Sequence, residues 1–283
     1  MSVSEAAAPV ARSHAVGLFL NELRLTFRRK RMYALLLGYA AVPILLGVAV
    51  RLATSPGEAG EGPNVIGSIT INGVYLVIGS MFLLLPLFLP VGVAVVAGDS
   101  FAGEAHLGTL RYLLVAPAGR VRLLATKLAA VFAFCVVATL VVYVVAVVFG
   151  ALLFPRGGVP LLSGTTISYA DGLWRGLLVA GYVAASLTGV AAIGVFASSL
   201  TETPLGAMAA TVAVPLVSQI LNTIPQVDVI HAYLPTHYWL TFADVLRDPI
   251  YGANMTAGLV VQLVYVLVFG AAAYARMTTR DVA

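Results

Sequence analysis

The sequence predicts an all-α polytopic membrane protein with six transmembrane helices. Of its 283 residues, 60% are hydrophobic and only 10% are Asp, Glu, Lys or Arg, whereas ordinary soluble domains carry about 25% charged residues. The mean hydropathy is +0.99, and several apolar runs exceed the roughly 18 residues that mark a membrane span. We therefore expect a single transmembrane domain over residues 1–283.

Six apolar runs are long enough to cross a bilayer. An α-helix rises about 1.5 Å per residue, so about 20 residues cross a hydrocarbon core of about 30 Å. The predicted spans are residues 31–52, 73–97, 128–150, 173–197, 204–224 and 255–275. An even number of spans places both termini on the same side of the membrane.

The distribution of basic residues predicts which side that is. With both termini in the cytoplasm, twelve of the sixteen Lys and Arg residues fall on the cytoplasmic side, as the positive-inside rule favours. The four on the outside are Arg51, Arg156, Arg175 and Arg247. Membrane topology thus accounts for the net charge of +4, and we predict no nucleic-acid partner.

A helix lying in the membrane interface is predicted before the first span, over residues 16–30. Apolar residues recur there at helical spacing, and charged residues occupy other faces: Val16, Phe19, Leu20, Leu23 and Phe27. An amphipathic helix of this kind lies in the headgroup region, with its apolar face toward the acyl chains. The alternative is a frayed extension of the first span.

The predicted spans lack the groups typical of ion coupling or catalysis. A charge at mid-bilayer costs about 2.5–3.5 kcal/mol on insertion scales, so proteins keep one there mainly for an ion or proton pathway. No Asp, Glu, Lys, Arg or His lies well inside a span, and neither Lys30 nor Lys127 lies in a P-loop. His231 and His237 have a poor spacing for zinc. We expect no catalytic, cofactor or metal site in this chain.

Small residues on the fourth span predict close helix packing. Gly181, Ala185 and Gly189 recur every four residues. This small-xxx-small pattern lets two helices approach closely, either within one subunit or between two.

Prolines and polar residues mark a second feature of the spans. Pro86 and Pro90 in the second span and Pro215 in the fifth are expected to bend the helices and to free carbonyl groups. Such bends either shape a cavity or are inert kinks. The best polar candidates to line a translocation path are Asn72, Tyr75, Gln219 and Asn222.

Residues 98–120, between spans two and three, form the largest predicted cytoplasmic loop. Asp99 or Ser100 can cap the start of a helix, and Pro117 cannot continue it. One face of this helix is apolar: Leu107, Leu110 and Leu114. Such a helix would lie across the cytoplasmic mouth of the bundle.

Charged residues complete this segment. Glu104 and Arg111 share another face of the predicted helix. Arg120, Arg122 and Lys127 are then expected among the lipid headgroups. The alternative is a solvated connector with ordinary basic anchors.

This segment resembles the signature of ABC-2 type export permeases, which lies between their second and third spans. The matching residues are Gly103, Glu104, Gly108, Thr109, Leu110, Leu113, Leu114, Pro117, Arg120 and Lys127. The number of spans, the interfacial first helix and the long loop between spans five and six extend the resemblance over essentially the whole chain. One difference is Ala105–Leu107, where relatives usually carry charged or polar residues.

The resemblance implies the transmembrane subunit of an ATP-driven exporter in the bacterial plasma membrane. It implies a second permease, identical or homologous, and two ATP-binding subunits that hold ATP and magnesium, with no cofactor in this chain. The coupling helix that docks on the ATPase would involve Glu104, Gly108, Thr109, Leu110, Arg111 and Leu114. The resemblance also implies a re-entrant segment, dipping into the membrane, between Pro225 and Asn254.

Two other functions fit the same sequence. One is an ion-coupled secondary transporter or channel, and the other is a membrane scaffold or sensor that moves nothing. For the exporter, spans without fixed charge favour an apolar or amphipathic substrate, such as a lipid or a drug.

Overall fold

The computed structural model describes residues 10–53, 64–106, 108 and 119–279, and the side chains of all of these except 10–16 and 64–66. Within these ranges the chain is mainly helical. The helices are α1 Val10–Phe27, α2 Lys30–Ala53, α3 Asn64–Ile71, α4 Tyr75–Leu84, α5 Phe88–His106, α6 Arg120–Leu153, α7 Tyr169–Ser186, α8 Thr188–Leu200, α9 Pro204–Leu221, α10 Asp228–His231 and α11 Ala253–Thr279. Two-residue strands, β1 Val159–Pro160 and β2 Thr166–Ile167, pair antiparallel between α6 and α7.

Six helical segments of the described chain are long and apolar enough to cross a membrane. They are α2, α5, α6, the consecutive pair α7 and α8, α9, and α11. This agrees with the predicted all-α polytopic class and with the predicted number of spans.

The helix bounds differ from the predicted spans in the second, third and fourth spans. The second span, predicted as 73–97, is divided into α4 and α5, and α5 continues to His106. The third helix begins at Arg120, before the apolar run. Charged residues in these extensions pair with one another, so the helices continue beyond the segment that hydropathy alone marks. The fourth span is interrupted at Leu187, between α7 and α8.

The bundle has a buried centre and an apolar exterior. Helix α8 packs on α5, α9 and α11, while α6 packs on α2, α7 and α1. The residues of α5 and of α7–α8 are largely buried, whereas most of α2, α9 and α11 face outward. Large apolar side chains are exposed on these outer helices, including Leu52, Leu205 and Leu267. This surface suits lipid rather than water.

Prolines lie at the interruption of the second span, where the sequence predicts a bend. Pro86 lies in the turn between α4 and α5, and Pro90 lies in the first turn of α5. Pro215 lies inside α9, whose helix continues past it to Leu221. The helix of the second span is therefore interrupted at its prolines, whereas the helix of the fifth span is continuous.

The segment between α9 and α11 folds back onto the bundle. It consists of a 3-10 turn at Pro225–Val227, the short α10, and a 3-10 helix at Trp239–Leu246 that packs on α7 and α11. The side chains of Trp239 and Phe242 are buried, and the Trp239 indole N–H donates to the Ser186 carbonyl at 3.2 Å. Insertion of this segment into a bilayer stays a prediction.

Close packing of the small residues is found at one end of the predicted stripe only. A methyl group at Gly189 would strike the side-chain oxygen of Gln262 in α11. At Gly181 a methyl group would meet no atom within 4 Å. The two glycines lie on different helices because α7 ends at Ser186, and so the four-residue spacing does not form one continuous stripe.

Candidate functional site

Six charged side chains meet at one end of the bundle. They share a single cleft formed by α1, α2, α5 and α6. These residues, which we call the ion-pair cluster, are Glu22, Arg29, Arg31, Asp99, Glu104 and Lys127. The three acids and three bases give the cluster a formal net charge of zero.

Lys127 is the centre of the cluster. Its side chain is 1% exposed, and its Nζ lies 2.6 Å from Glu104 Oε1 and 3.1 Å from Glu22 Oε1. The ammonium group also lies 5.2 Å from the centroid of the Phe101 ring, within the range of a cation–π contact. Removing an ion from water costs several kcal/mol unless good partners replace the water. Lys127 therefore links α1, α5 and α6 through buried ion pairs.

Asp99 forms the second half of the cluster. Both Arg29 and Arg31 contact Asp99 Oδ2, and the Asp99 side chain is only 11% exposed. Arg29 lies in the turn before α2, and Arg31 lies in its first turn. This contact therefore holds the start of α2 against the middle of α5.

Glycine turns bound the segment that follows the cluster in the chain. Glu104 lies in the last turn of α5, which ends at His106. Gly108 then has φ 69°, and its N–H donates to the Ala105 carbonyl at 3.0 Å. Gly119, with φ 75°, comes directly before α6. Glycine is favoured at both positions because a left-handed backbone is costly for residues with a Cβ.

Most of the predicted coupling residues lie outside the described part of the chain. These are Thr109, Leu110, Arg111 and Leu114, together with Leu107 and Pro117. The structure does place the two ends of the segment. The Glu104–Lys127 ion pair joins the last turn of α5 to α6, so the two helices that flank the segment are held together.

Arg120 links the same loop to the last helix. Its Nη1 donates to the carbonyls of Met277 and Thr278 at 2.9 and 3.0 Å. These carbonyls belong to the last turn of α11, where a helix has unpaired acceptors and attracts a cation. The start of α6 therefore holds the end of α11.

Two expectations for this segment are wrong. Asp99 and Ser100 do not cap a helix start, because both lie inside α5, where the Ser100 hydroxyl donates to the Ala97 carbonyl at 2.7 Å. Lys127 does not lie among headgroups but is buried. The physical reason is that the carboxylates of Glu22 in α1 and Glu104 in α5 bind its ammonium group in place of water. Opposite charges at the facing ends of consecutive spans, Glu104 and Lys127, are the sequence signal that could have found this pair.

Asn72 and Tyr75 bind the connection between α6 and α7. Asn72 is fully buried, and its Nδ2 donates to the Gly157 carbonyl at 2.9 Å while its Oδ1 accepts from the Val74 N–H at 2.9 Å. The Tyr75 hydroxyl donates to the Pro160 carbonyl. Both side chains thus fix the start of α4 against β1. Their place on a translocation path stays a prediction.

Gln219 and Asn222 bind different partners. Gln219 Nε2 donates to the Pro86 carbonyl at 2.7 Å. Asn222 Oδ1 lies 2.6 Å from His237 Nδ1. Burial, and then the nearby His231, lower the pKa of His237. Whether Gln219 and Asn222 line a path also stays a prediction.

Comparison with known proteins gives a family for the part of the chain that contains the cluster. In the described ranges of the chain, no three His, Cys, Asp or Glu side chains gather as a metal site would require. A family model described as ABC-2 family transporter protein matches residues 18–211. This range is more than half of the chain and contains the whole ion-pair cluster. A search of curated proteins finds no match.

Proposed function

Because the chain belongs to the ABC-2 transporter family, we propose that it is the transmembrane subunit of an ATP-driven exporter in the bacterial plasma membrane. Members of this family are membrane transport subunits that work with ATP-binding subunits. Here two such subunits hydrolyse ATP with magnesium, and a second permease, identical or homologous, completes the transporter. The chain itself contributes the path and the surface that receives the motion.

The observation that carries this proposal is the buried ion pair at the base of the loop between α5 and α6. Glu104 and Lys127 hold together the two helices that flank the loop. The ion pair of Glu22 with Lys127 joins α1 to them, and the hydrogen bond from Arg120 to the Met277 carbonyl joins the end of α11. Breaking a buried ion pair by removing one partner typically costs about 3–5 kcal/mol. A displacement of the loop therefore moves four helices together.

In this proposal the loop docks on an ATP-binding subunit as a coupling helix. Thr109, Leu110, Arg111 and Leu114 supply the docking surface, and Gly108 supplies the turn that starts it. Glu104 is a positioning residue at the base of the loop. Closure of the ATP-binding subunits then displaces the loop, and the bundle moves with it.

A helix-breaking pair of substitutions tests the docking role. Leu110→Pro together with Leu114→Pro is expected to abolish ATP-dependent transport by the complete transporter in vesicles, while the permease still folds and inserts. The matched control places Leu205→Pro at the exposed first turn of α9, where proline is tolerated. Wild-type transport by the double variant contradicts a coupling role for the loop.

A pair of single substitutions tests the positioning role of Glu104. Glu104→Gln and Glu22→Gln both remove one carboxylate from Lys127, but only Glu104 lies at the base of the loop. We expect Glu104→Gln to lower transport per ATP hydrolysed more than Glu22→Gln does, at equal expression. Equal effects would indicate that the cluster contributes charge balance alone.

The alternatives make a different prediction for the isolated chain. An ion-coupled carrier or channel would move solute in vesicles without any ATP-binding subunit, and a scaffold would bind such a subunit without transport. The proposed exporter subunit binds the ATP-binding subunits and moves solute only when they are present and hydrolyse ATP. Uphill transport by the purified chain alone would refute the proposal.

A further inference from the structure

Helix α1 has one face against the bundle and another that is free. Phe19, Leu23 and Phe27 are half-buried on the face that packs on α6. At about 100° per residue, Arg24 lies about 100° around the helix from the middle of this face, and Arg28, directly after the helix, continues the turn away from it at about 140°. Only two residues separate α1 from α2, so the end of α1 lies beside the first turn of a helix that crosses the membrane.

The basic residues around this junction form two groups. Arg29 and Arg31 belong to the ion-pair cluster and bind a carboxylate. Arg24, Arg28 and Lys30 are exposed, and within the described chain no carboxylate lies in ion-pair distance of them. The second group is available to an external anion.

Apolar and aromatic side chains flank the available cations. Leu18, Leu20 and Leu25 on α1 are 37%, 58% and 51% exposed, and Tyr33 in the first turn of α2 is 58% exposed. Exposed leucines beside unpaired cations suit the boundary between acyl chains and headgroups. Tyrosine is enriched at the same level of the bilayer.

We infer that Arg24, Arg28 and Lys30 form a binding surface for the headgroups of anionic phospholipids. Their charge is complementary to the lipid phosphate, and a guanidinium group binds phosphate oxygens in a bidentate manner. Each cation near an anionic membrane surface increases association about fivefold. The inference requires only that α2 crosses a membrane, so it stands or fails independently of the exporter proposal.

The chain offers a clean way to measure this binding. Its single cysteine, Cys135, is buried, so Leu20→Cys adds one accessible thiol for a fluorophore beside the cations. The labelled full-length protein is placed in phosphatidylcholine vesicles. One series contains increasing fractions of phosphatidylglycerol with a nitroxide on the headgroup, and the other contains increasing fractions of phosphatidylcholine with the same nitroxide. We expect phosphatidylglycerol to quench at a lower fraction, by about fivefold or more, and high salt to remove the difference.

Two triple variants decide the inference. Arg24→Gln, Arg28→Gln and Lys30→Gln together are expected to bring the ratio of the two lipids to about one. The control removes three exposed cations at other positions: Arg51→Gln, Arg156→Gln and Arg247→Gln. An unchanged ratio in the first variant, or an equal loss in the control, overturns the inference.

A protein partner is the competing occupant of the same surface. If the first variant keeps its preference for phosphatidylglycerol but binds the ATP-binding subunit more weakly in the assembled transporter, the lipid assignment is wrong. In that case the three cations form part of a protein interface. Thermal unfolding of each variant in detergent shows whether the substitutions leave the fold intact.

Discussion

Replacing Gln219 by leucine removes the donor that reaches the break in the second span. Pro90 has no N–H, so the Pro86 carbonyl lacks the partner that a helix would supply four residues later. The Gln219 Nε2 supplies it instead at 2.7 Å and also lies 3.3 Å from the Pro215 carbonyl. Inside a bilayer no water replaces a lost donor. Gln219 is therefore expected to stabilise the break.

The expected change in the free energy of unfolding follows from the Pro86 carbonyl, which loses its hydrogen-bond donor. A buried polar group left without a partner costs about 1–3 kcal/mol, and Gln219→Leu is expected to lower the free energy of unfolding by that amount. In a Pro90→Ala background, the new alanine N–H is placed to donate to the Pro86 carbonyl. The same Gln219→Leu substitution is then expected to cost less than about 0.5 kcal/mol, so the two sites are strongly coupled.

The assay is reversible unfolding in mixed micelles by titration with sodium dodecyl sulfate, applied to the four proteins of the cycle. Pro43→Ala provides the matched control, because Pro43 is also buried inside a span but lies in α2. In the Pro43→Ala background the cost of Gln219→Leu should stay at its full value. An equal cost in the wild-type and Pro90→Ala backgrounds would refute the reasoning.

Three further substitutions are expected to change stability. Lys127→Met leaves carboxylates without their buried cation and is expected to cost about 3–5 kcal/mol in the same unfolding titration. Because the pKa of His237 is lowered in the folded chain, the unfolded chain binds a proton at this histidine at a higher pH than the folded chain does. Stability should therefore fall as the pH drops below about 6.5. His237→Gln should reduce this fall in thermal unfolding scans. Gly189→Ala is expected to lower the unfolding temperature because its methyl group meets Gln262, whereas Gly181→Ala, which meets open space, should leave it nearly unchanged.

The spans and the bend of the second span were predictable because each depends on local sequence. An apolar run of sufficient length has few alternatives to crossing as a helix, and the predicted spans correspond to helical segments of the described chain. Pro86 and Pro90 interrupt the second span for a reason that needs no knowledge of neighbours, since a proline lacks the N–H that the helix requires.

Beyond the Glu104–Lys127 pair, the cluster was not predictable because it depends on distant partners. Lys127 meets Glu22 from 105 residues away, and a single basic residue at the end of a span gives no sign of such a partner. Helical periodicity likewise could not reveal that Leu187 ends α7 and separates Gly181 from Gly189. In both cases the outcome is decided by which helices pack together, and local patterns do not determine this.

The rigid and compliant parts of α5 lie at opposite ends of the helix. Glu104 and Asp99 tie the second half of α5 to α1, α2 and α6 through ion pairs, and the Pro86–Pro90 break lies at its start, about 14 Å from Asp99 and about 21 Å from Glu104 at about 1.5 Å per residue. The break is held by single hydrogen bonds, from Gln219 to the Pro86 carbonyl and from the Tyr39 hydroxyl to the Phe88 carbonyl at 3.0 Å. Removing one partner of such a bond costs about 1–3 kcal/mol, less than the about 3–5 kcal/mol for removing one partner of a buried ion pair. In the proposed exporter, a displacement of the loop therefore carries α5 as a rod and is taken up at the proline break, next to α9.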